Sequence, residues 1–134
     1  MKYMLDTNTI INLAKNQNPY LKEKFEENFG RITISCIVLS ELIYGNHNAD
    51  PKRFLENTTN LLKLIAPFDV LPYDERCAEH YGEIRADLKN RDCLIDGMDL
   101  LISAHARAKG LVLVTSNTKH FQRVKGLTIE DWNI

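Results

Sequence analysis

The chain is poor in cysteine, and what it has does not pair by pattern. Cys36, Cys77 and Cys93 are odd in number and widely spaced, with no C-x-x-C. That excludes a disulfide framework and a cysteine zinc site as organising features. Reduced thiols fit a cytosolic protein, so a cytoplasmic location is expected. No apolar run approaches the roughly 20 residues that span a bilayer. Lys2 is followed by only a short apolar stretch before Asp6, which is not a signal-peptide pattern. The first strand is not followed by G-x-G-x-x-G, which argues against dinucleotide binding. A helix-turn-helix and a basic arm are also missing, so direct DNA reading is not expected. Repeats, low-complexity segments and linkers are absent. Charge of one sign is lacking too: 17 basic against 18 acidic side chains leave a net charge of −1. That balance neither supports nor excludes a nucleic-acid partner.

What is present is an alternation of short apolar strands with helical segments over 134 residues, read as a single domain spanning 1–134. Residues 2–5 read as a buried strand, Asp6-Thr7-Asn8 as a turn and helix start, and Thr9 to Lys15 as a short helix. Pro19 opens a second helix to about Asn28, with Gly30 ending it. "RITIS" is β-branched and apolar, a second strand. Ser35 suits the N-cap of "CIVLSELIYG", with Gly45 as its C′ stop. Asp50-Pro51 starts a further helix. "FDVLP" is a third strand, and Asp74 caps a long helix to about Asn90. A helix from about Gly97 to Lys109 follows, closed by Gly110. "LVLVT" is a strand, Lys119–Arg123 a turn or short helix, and Leu127–Ile129 a last strand.

Strands alternating with helices predict an α/β fold, a mostly parallel sheet of four to five strands covered on both faces. Functional groups in such sheets gather beyond the carboxyl ends of the strands. Asp6, Ser35 and Thr115-Ser116-Asn117 should all lie on that edge.

Three carboxylates stand where apolar packing alone would not put them. Asp6 ends a strand. Glu41 shares a helical face with Ile37, Val38, Tyr44 and Gly45, which should be buried. Asp99 lies in the first turn of the apolar helix "GMDLLISAHA". Gathering carboxylates in a low-dielectric site is costly unless a proton, a basic partner or a cation compensates them. Oxygen donors suit Mg²⁺ or Mn²⁺, and such an ion suits phosphodiester hydrolysis. No histidine looks well placed beside the set.

Each acid also has a structural explanation. Asp6 fits an Asx turn, Asp99 complements a helix dipole, and Asp96 fits an N-cap. A salt bridge to Arg85 or Arg107 would account for Glu41. Thr7 and Asn8 could orient Asp6 or cap the first helix. Thr115, Ser116 and Asn117 could touch a water or phosphate oxygen, or form a turn. Tyr3, Tyr44, Phe121 and Trp132 could stack on bases, with core packing the alternative. Basic residues from Arg85 to Lys125 read as solvated helix faces or as a phosphate-binding surface.

"MLDTN", "SELIYG", "DGMDLLISAHARAKGL" and "LVTSNTKHF", ending in "GLTIEDW", occur in an order and spacing that resembles VapC-type toxins of the PIN-domain family. The resemblance covers nearly the whole chain. It implies an α/β/α sandwich and the toxin of a type II toxin–antitoxin system. It also implies an endoribonuclease dependent on Mg²⁺ or Mn²⁺, with tRNA among its substrates. Asp6, Glu41 and Asp99 match the family's principal acids. Asn8, Thr7, Asp96, Thr115, Ser116 and Asn117 are further candidates for contact with metal-bound water or substrate. The implied partners are a VapB-type antitoxin inserting its C-terminal segment into the active site, operator DNA through that antitoxin only, and a second copy in a homodimer. Two departures stand out. Asn117 occupies the position of a fourth acid, and Asp96 stands where a small residue is usual.

Two other readings remain at this point. A covalent aspartyl phosphatase of the haloacid-dehalogenase type would need an acid two residues after Asp6, where the chain has Asn8. A purely regulatory partner acting through an antitoxin would need no catalysis.

Overall fold

The structure is a computed structural model and describes residues 2–134. Five strands form one all-parallel sheet: β1 Tyr3–Leu5, β2 Ile32–Ser35, β3 Asp69–Leu71, β4 Val112–Val114 and β5 Ile129–Glu130. Their spatial order is β3-β2-β1-β4-β5. The helices are α1 Thr7–Lys15, α2 Pro19–Glu27, α3 Cys36–His47, α4 Phe54–Ile65, α5 Glu75–Asn90, α6 Gly97–Ala108 and α7 Thr118–Phe121. Among the described residues no helix is long and apolar enough to cross a membrane.

The chain first walks from β1 outward to β3, then returns to the other side of β1 with β4. The order of travel therefore reverses between β1 and β4, the kind of crevice in which parallel sheets bind ligands. Burial explains why β1 is central. Tyr3, Met4 and Leu5 are all buried, as are Ile32 and Ile34 on one side and Leu113 and Val114 on the other. Trp132, which is 1% exposed, closes the core with its ring edge-on to Tyr3 at 5.0 Å. A smaller apolar cluster of Ile84, Leu88, Ile95, Leu100, Ala104 and Val124 joins α5 to α6. Burial at these positions supplies the main stabilisation, about 1.5–3 kcal/mol for each large apolar side chain.

Several boundaries differ from the sequence reading. Gly45 does not stop α3. Its backbone is not left-handed, and the helix continues to His47 before Asn48 caps it. Contacts with α4 hold this extra stretch: Asn46 Nδ2 donates to Thr58 Oγ1 at 2.8 Å, and the His47 and Phe54 rings lie 4.8 Å apart. Tertiary contact thus outweighs glycine's preference for a C′ position. Asp50-Pro51 opens a single 3-10 turn, Pro51–Arg53, and α4 proper begins at Phe54. The last strand lies at Ile129–Glu130, where it pairs with Leu113 and Val114.

Candidate active site

Asp6 stands at the carboxyl end of β1, in the crevice. Its backbone N–H donates to Val114 O of β4 at 3.1 Å, and Thr9 Oγ1 donates to the same carbonyl at 3.2 Å. The Asx-type role read from "MLDTN" is real: Asp6 Oδ1 accepts from Thr9 N at 2.8 Å and caps α1. Capping occupies one carboxylate oxygen and fixes the direction of the other. Asp6 is only 5% exposed.

Glu41 reaches the same edge from α3. It is half-buried, and its face is not buried as expected, since Tyr44 is 67% exposed. Neither basic residue suggested as its partner meets it. Arg107 bonds His80 Nδ1 at 2.8 Å and Glu83 at 2.9 Å, while Arg85 donates to the Tyr81 hydroxyl. Glu41 instead accepts from Thr7 Oγ1 at 2.6 Å. Thr7 therefore orients Glu41, and Asn8 is exposed on α1. An apolar groove of about 830 Å³ between α1, α3 and α4 ends at Glu41, with Ile11, Leu42, Leu61 and Leu64 on its walls.

Asp99 enters from the first turn of α6. Asp96, exposed, caps that helix by accepting from Met98 N at 3.0 Å. The Asp99 carboxyl is pushed up to about 6, first by burial, then by the charges of Asp96, Asp6 and Glu41. One carboxyl thus feels three others, drawn from β1, α3 and α6. Among the described residues, no three His, Cys, Asp or Glu side chains close into a metal cage. The acids share one field without forming a closed ligand set. An all-oxygen donor group with accumulated negative potential is suited to a hard divalent cation, which commonly takes one or two direct carboxylates plus waters.

His105 ties the two acid-bearing helices together behind this edge. It is fully buried on α6, and its Nδ1 lies 2.7 Å from Oγ of Ser35, which caps α3 through Ile37 N. Burial is the main cause that lowers the pKa of its imidazole.

At the end of β4, Thr115 is buried and its Oγ1 accepts from Asn117 N at 2.9 Å, while Ser116 is exposed. Asn117 Nδ2 lies 3.0 Å from His120 Nδ1. His120 lies on α7, and its charge acts to lower the Asp99 carboxyl, the smallest of the causes acting on it. Tyr3, Phe121 and Trp132 are core residues; only Tyr44 of the proposed stacking aromatics is exposed.

Residues 3–127 match the PIN domain family. The chain belongs to it. The chain is 41% identical to the tRNA(fMet)-specific endonuclease VapC of Shigella flexneri, over 99% of each chain. It is similar in fold to the DNA-bound VapBC of Salmonella typhimurium, with a TM-score of 0.93 at 40% identity, covering 98% of both chains. It also resembles VapBC2 of Rickettsia felis bound to a promoter DNA fragment, with a TM-score of 0.91 at 32% identity over 98% of this chain and 99% of that one. Within the PIN family the chain is therefore of the VapC type. The α/β/α architecture expected from its motifs is the architecture observed.

Proposed function

We propose that the chain is the toxin of a type II toxin–antitoxin pair, an endoribonuclease that hydrolyses a phosphodiester of RNA with a divalent cation, Mg²⁺ or Mn²⁺. A tRNA is the proposed substrate class, following the activity named for the Shigella relative. What supports this reading is the placement of three acids at the switch-point edge: Asp6 capping α1 after β1, Glu41 held on α3 by Thr7, and Asp99 in the first turn of α6.

Asp6, Glu41 and Asp99 are the groups that would hold the cation. A divalent ion held there would supply Lewis-acid polarisation of the phosphate and of an attacking water. The chain's own residues do the rest. The α1 cap holds Asp6 in one orientation, and Thr7 holds Glu41. Asp99 must lose its proton to bind a cation, and the other acids oppose that loss. Ser116 and Asn117 lie at the strand end from which a phosphate oxygen can be contacted. The covalent phosphatase reading fails on Asn8, which is exposed and carries no proton to transfer.

A VapB-type antitoxin is the proposed partner. Its C-terminal segment would lie in the apolar groove ending at Glu41 and so block the acids, and operator DNA would be reached only through that partner. A homodimer is the proposed assembly. Incubation of purified protein with tRNA and Mg²⁺ tests the activity. Discrete cleavage that stops in EDTA and returns with excess Mg²⁺ or Mn²⁺ is expected. Equal cleavage in EDTA would overturn the metal-dependent reading.

A further inference from the structure

Tyr44 is an aromatic that neither the core nor the acid site accounts for. It lies on α3, one turn beyond Glu41, and is 67% exposed. Residues three apart on a helix are neighbours, with Cβ atoms about 5–6 Å apart. Glu41 is itself tied to the switch-point edge, because Thr7, the residue after Asp6, donates to it at 2.6 Å. Backbone geometry and one hydrogen bond therefore place Tyr44 beside the acids. Helical offsets also decide on which side it stands. Leu42 and Gly45, one and four positions after Glu41, line the apolar groove. Tyr44 and Ser40 lie on the other flank of Glu41, and both are exposed. Glu41 thus stands between the groove and Tyr44. Other aromatic rings have partners: Tyr3 meets Trp132, Phe25 meets Phe29 and Phe68, and Tyr73 meets His105. Among the described residues the Tyr44 ring meets no other ring, and its hydroxyl makes no hydrogen bond.

We propose that Tyr44 contacts the substrate, its ring stacking on a base that flanks the scissile phosphodiester and so fixing how the RNA strand crosses the acids. The inference rests on the nuclease reading above and names one contact within it. A strand whose phosphate lies at Glu41 has its neighbouring nucleotide within reach of a side chain one helical turn away. Charge is a poor means of holding RNA on this flank, because the nearest ionisable group is a carboxylate. Stacking suits it, since a base meets an aromatic ring through an uncharged face. The groove on the other flank is apolar and suits a protein segment, whereas Tyr44 stands apart from it on the polar side, next to Ser40. Every base has a π-face, so the contact tolerates any base. It does require that base to be unpaired and turned out of its own stack.

The test is a double-mutant cycle between protein and RNA. The substrate is the tRNA that the wild type cleaves, with single abasic nucleotides placed in turn on either side of the cut. In the wild type with Mg²⁺, one abasic position should lower kcat/KM about 10-fold or more. Tyr44→Ala should lose about as much on the intact RNA, and the same abasic position should then cost it nothing further. Tyr44→Phe and Tyr44→Trp should restore cleavage to within about 3-fold of wild type, because each keeps a stacking face. Circular dichroism should be unchanged in all three, as the side chain is exposed. Intact-RNA cleavage by Tyr44→Ala at the wild-type rate would overturn the proposal, and so would a full abasic loss retained in that variant. A Tyr44→Ala variant that changes oligomeric state while keeping every abasic loss would assign the ring to protein contact and overturn it too. Each of these results leaves the nuclease reading intact. Absence of cleavage by the wild type would overturn that reading and this inference with it.

Discussion

The two ends of α6 handle charge in opposite ways. Near its C-terminus and along α5, charges are paired. Arg107 meets Glu83 at 2.9 Å, Arg91 meets Asp87 at 2.6 Å, and Lys109 meets Asp74. Lys109 holds the Asp74 carboxyl well below the usual range, and Arg91 does the same for Asp87. At the N-terminus of α6, Asp99 faces Asp96, Asp6 and Glu41 with only His120 opposing them, and its carboxyl moves the other way. One helix therefore shows a compensated face and an uncompensated one. Paired surface charges keep a face solvated and contribute little to stability. Uncompensated acids cost stability, and such sites are where function is sought. Of the basic residues that suggested a phosphate-binding surface, Arg91, Arg107, Lys109 and Lys125 belong to the paired face.

The comparison breaks most visibly at Asp6. Asp6→Asn keeps the α1 cap, because an amide oxygen still accepts from Thr9 N, yet it removes a charge from the site. RNA cleavage should fall by at least about 100-fold with an unchanged circular dichroism spectrum. Wild-type cleavage by this variant would remove Asp6 from the chemistry.

A smaller effect is expected when the groove end of the site is loosened. Thr7→Val removes the hydroxyl that Glu41 accepts from. Loss of one hydrogen bond to a charged group, worth about 1.5–3 kcal/mol, should slow cleavage by roughly 10-fold or more. An unchanged kcat/KM would show that Glu41 needs no such support.

Asp99 sharpens the contrast through stability. Its folded carboxyl binds a proton more tightly than the unfolded one does. The folded state is therefore favoured by this group at low pH, and that benefit is lost as pH rises through about 6. Asp99→Asn should stabilise the metal-free protein at pH 7, by about 1–2 kcal/mol after allowance for partial exposure. Thermal melts should show the gain at neutral pH and its disappearance near pH 4. Destabilisation at pH 7 would mean that Asp99 is compensated after all. On the paired face the smallest effect is expected: Arg91→Gln should move Tm by no more than about 2 °C and leave cleavage unchanged.

How much of this was legible in the sequence follows from the range of each interaction. The strands β1, β2 and β4 were readable because their apolar runs end at Asp6, Ser35 and Thr115, residues that turn or cap locally. Caps at Ser35, Asp74 and Asp96 were readable for the same reason, since each bonds an N–H two or three residues away. The expectation that Asp6, Glu41 and Asp99 lie at one edge came from strand alternation and the helix starts that follow it. Their partners did not. Thr7 meets Glu41 across 34 positions, and His105 meets Ser35 across 70. Gly45 misled for a related reason: contacts with α4 decide where α3 ends.

The central claim is that the uncompensated acids at the β1–β4 crevice form one cation site. Thermal melts with and without saturating Mn²⁺, on the wild type and on Asp6→Asn and Asp99→Asn, test it most directly. Ligand linkage predicts that Mn²⁺ raises the wild-type Tm by several degrees at pH 7.5, with less effect at pH 5 where Asp99 holds its proton. Both variants should respond weakly or not at all. An equal Mn²⁺ shift in the wild type and both variants would place the cation elsewhere and contradict the account.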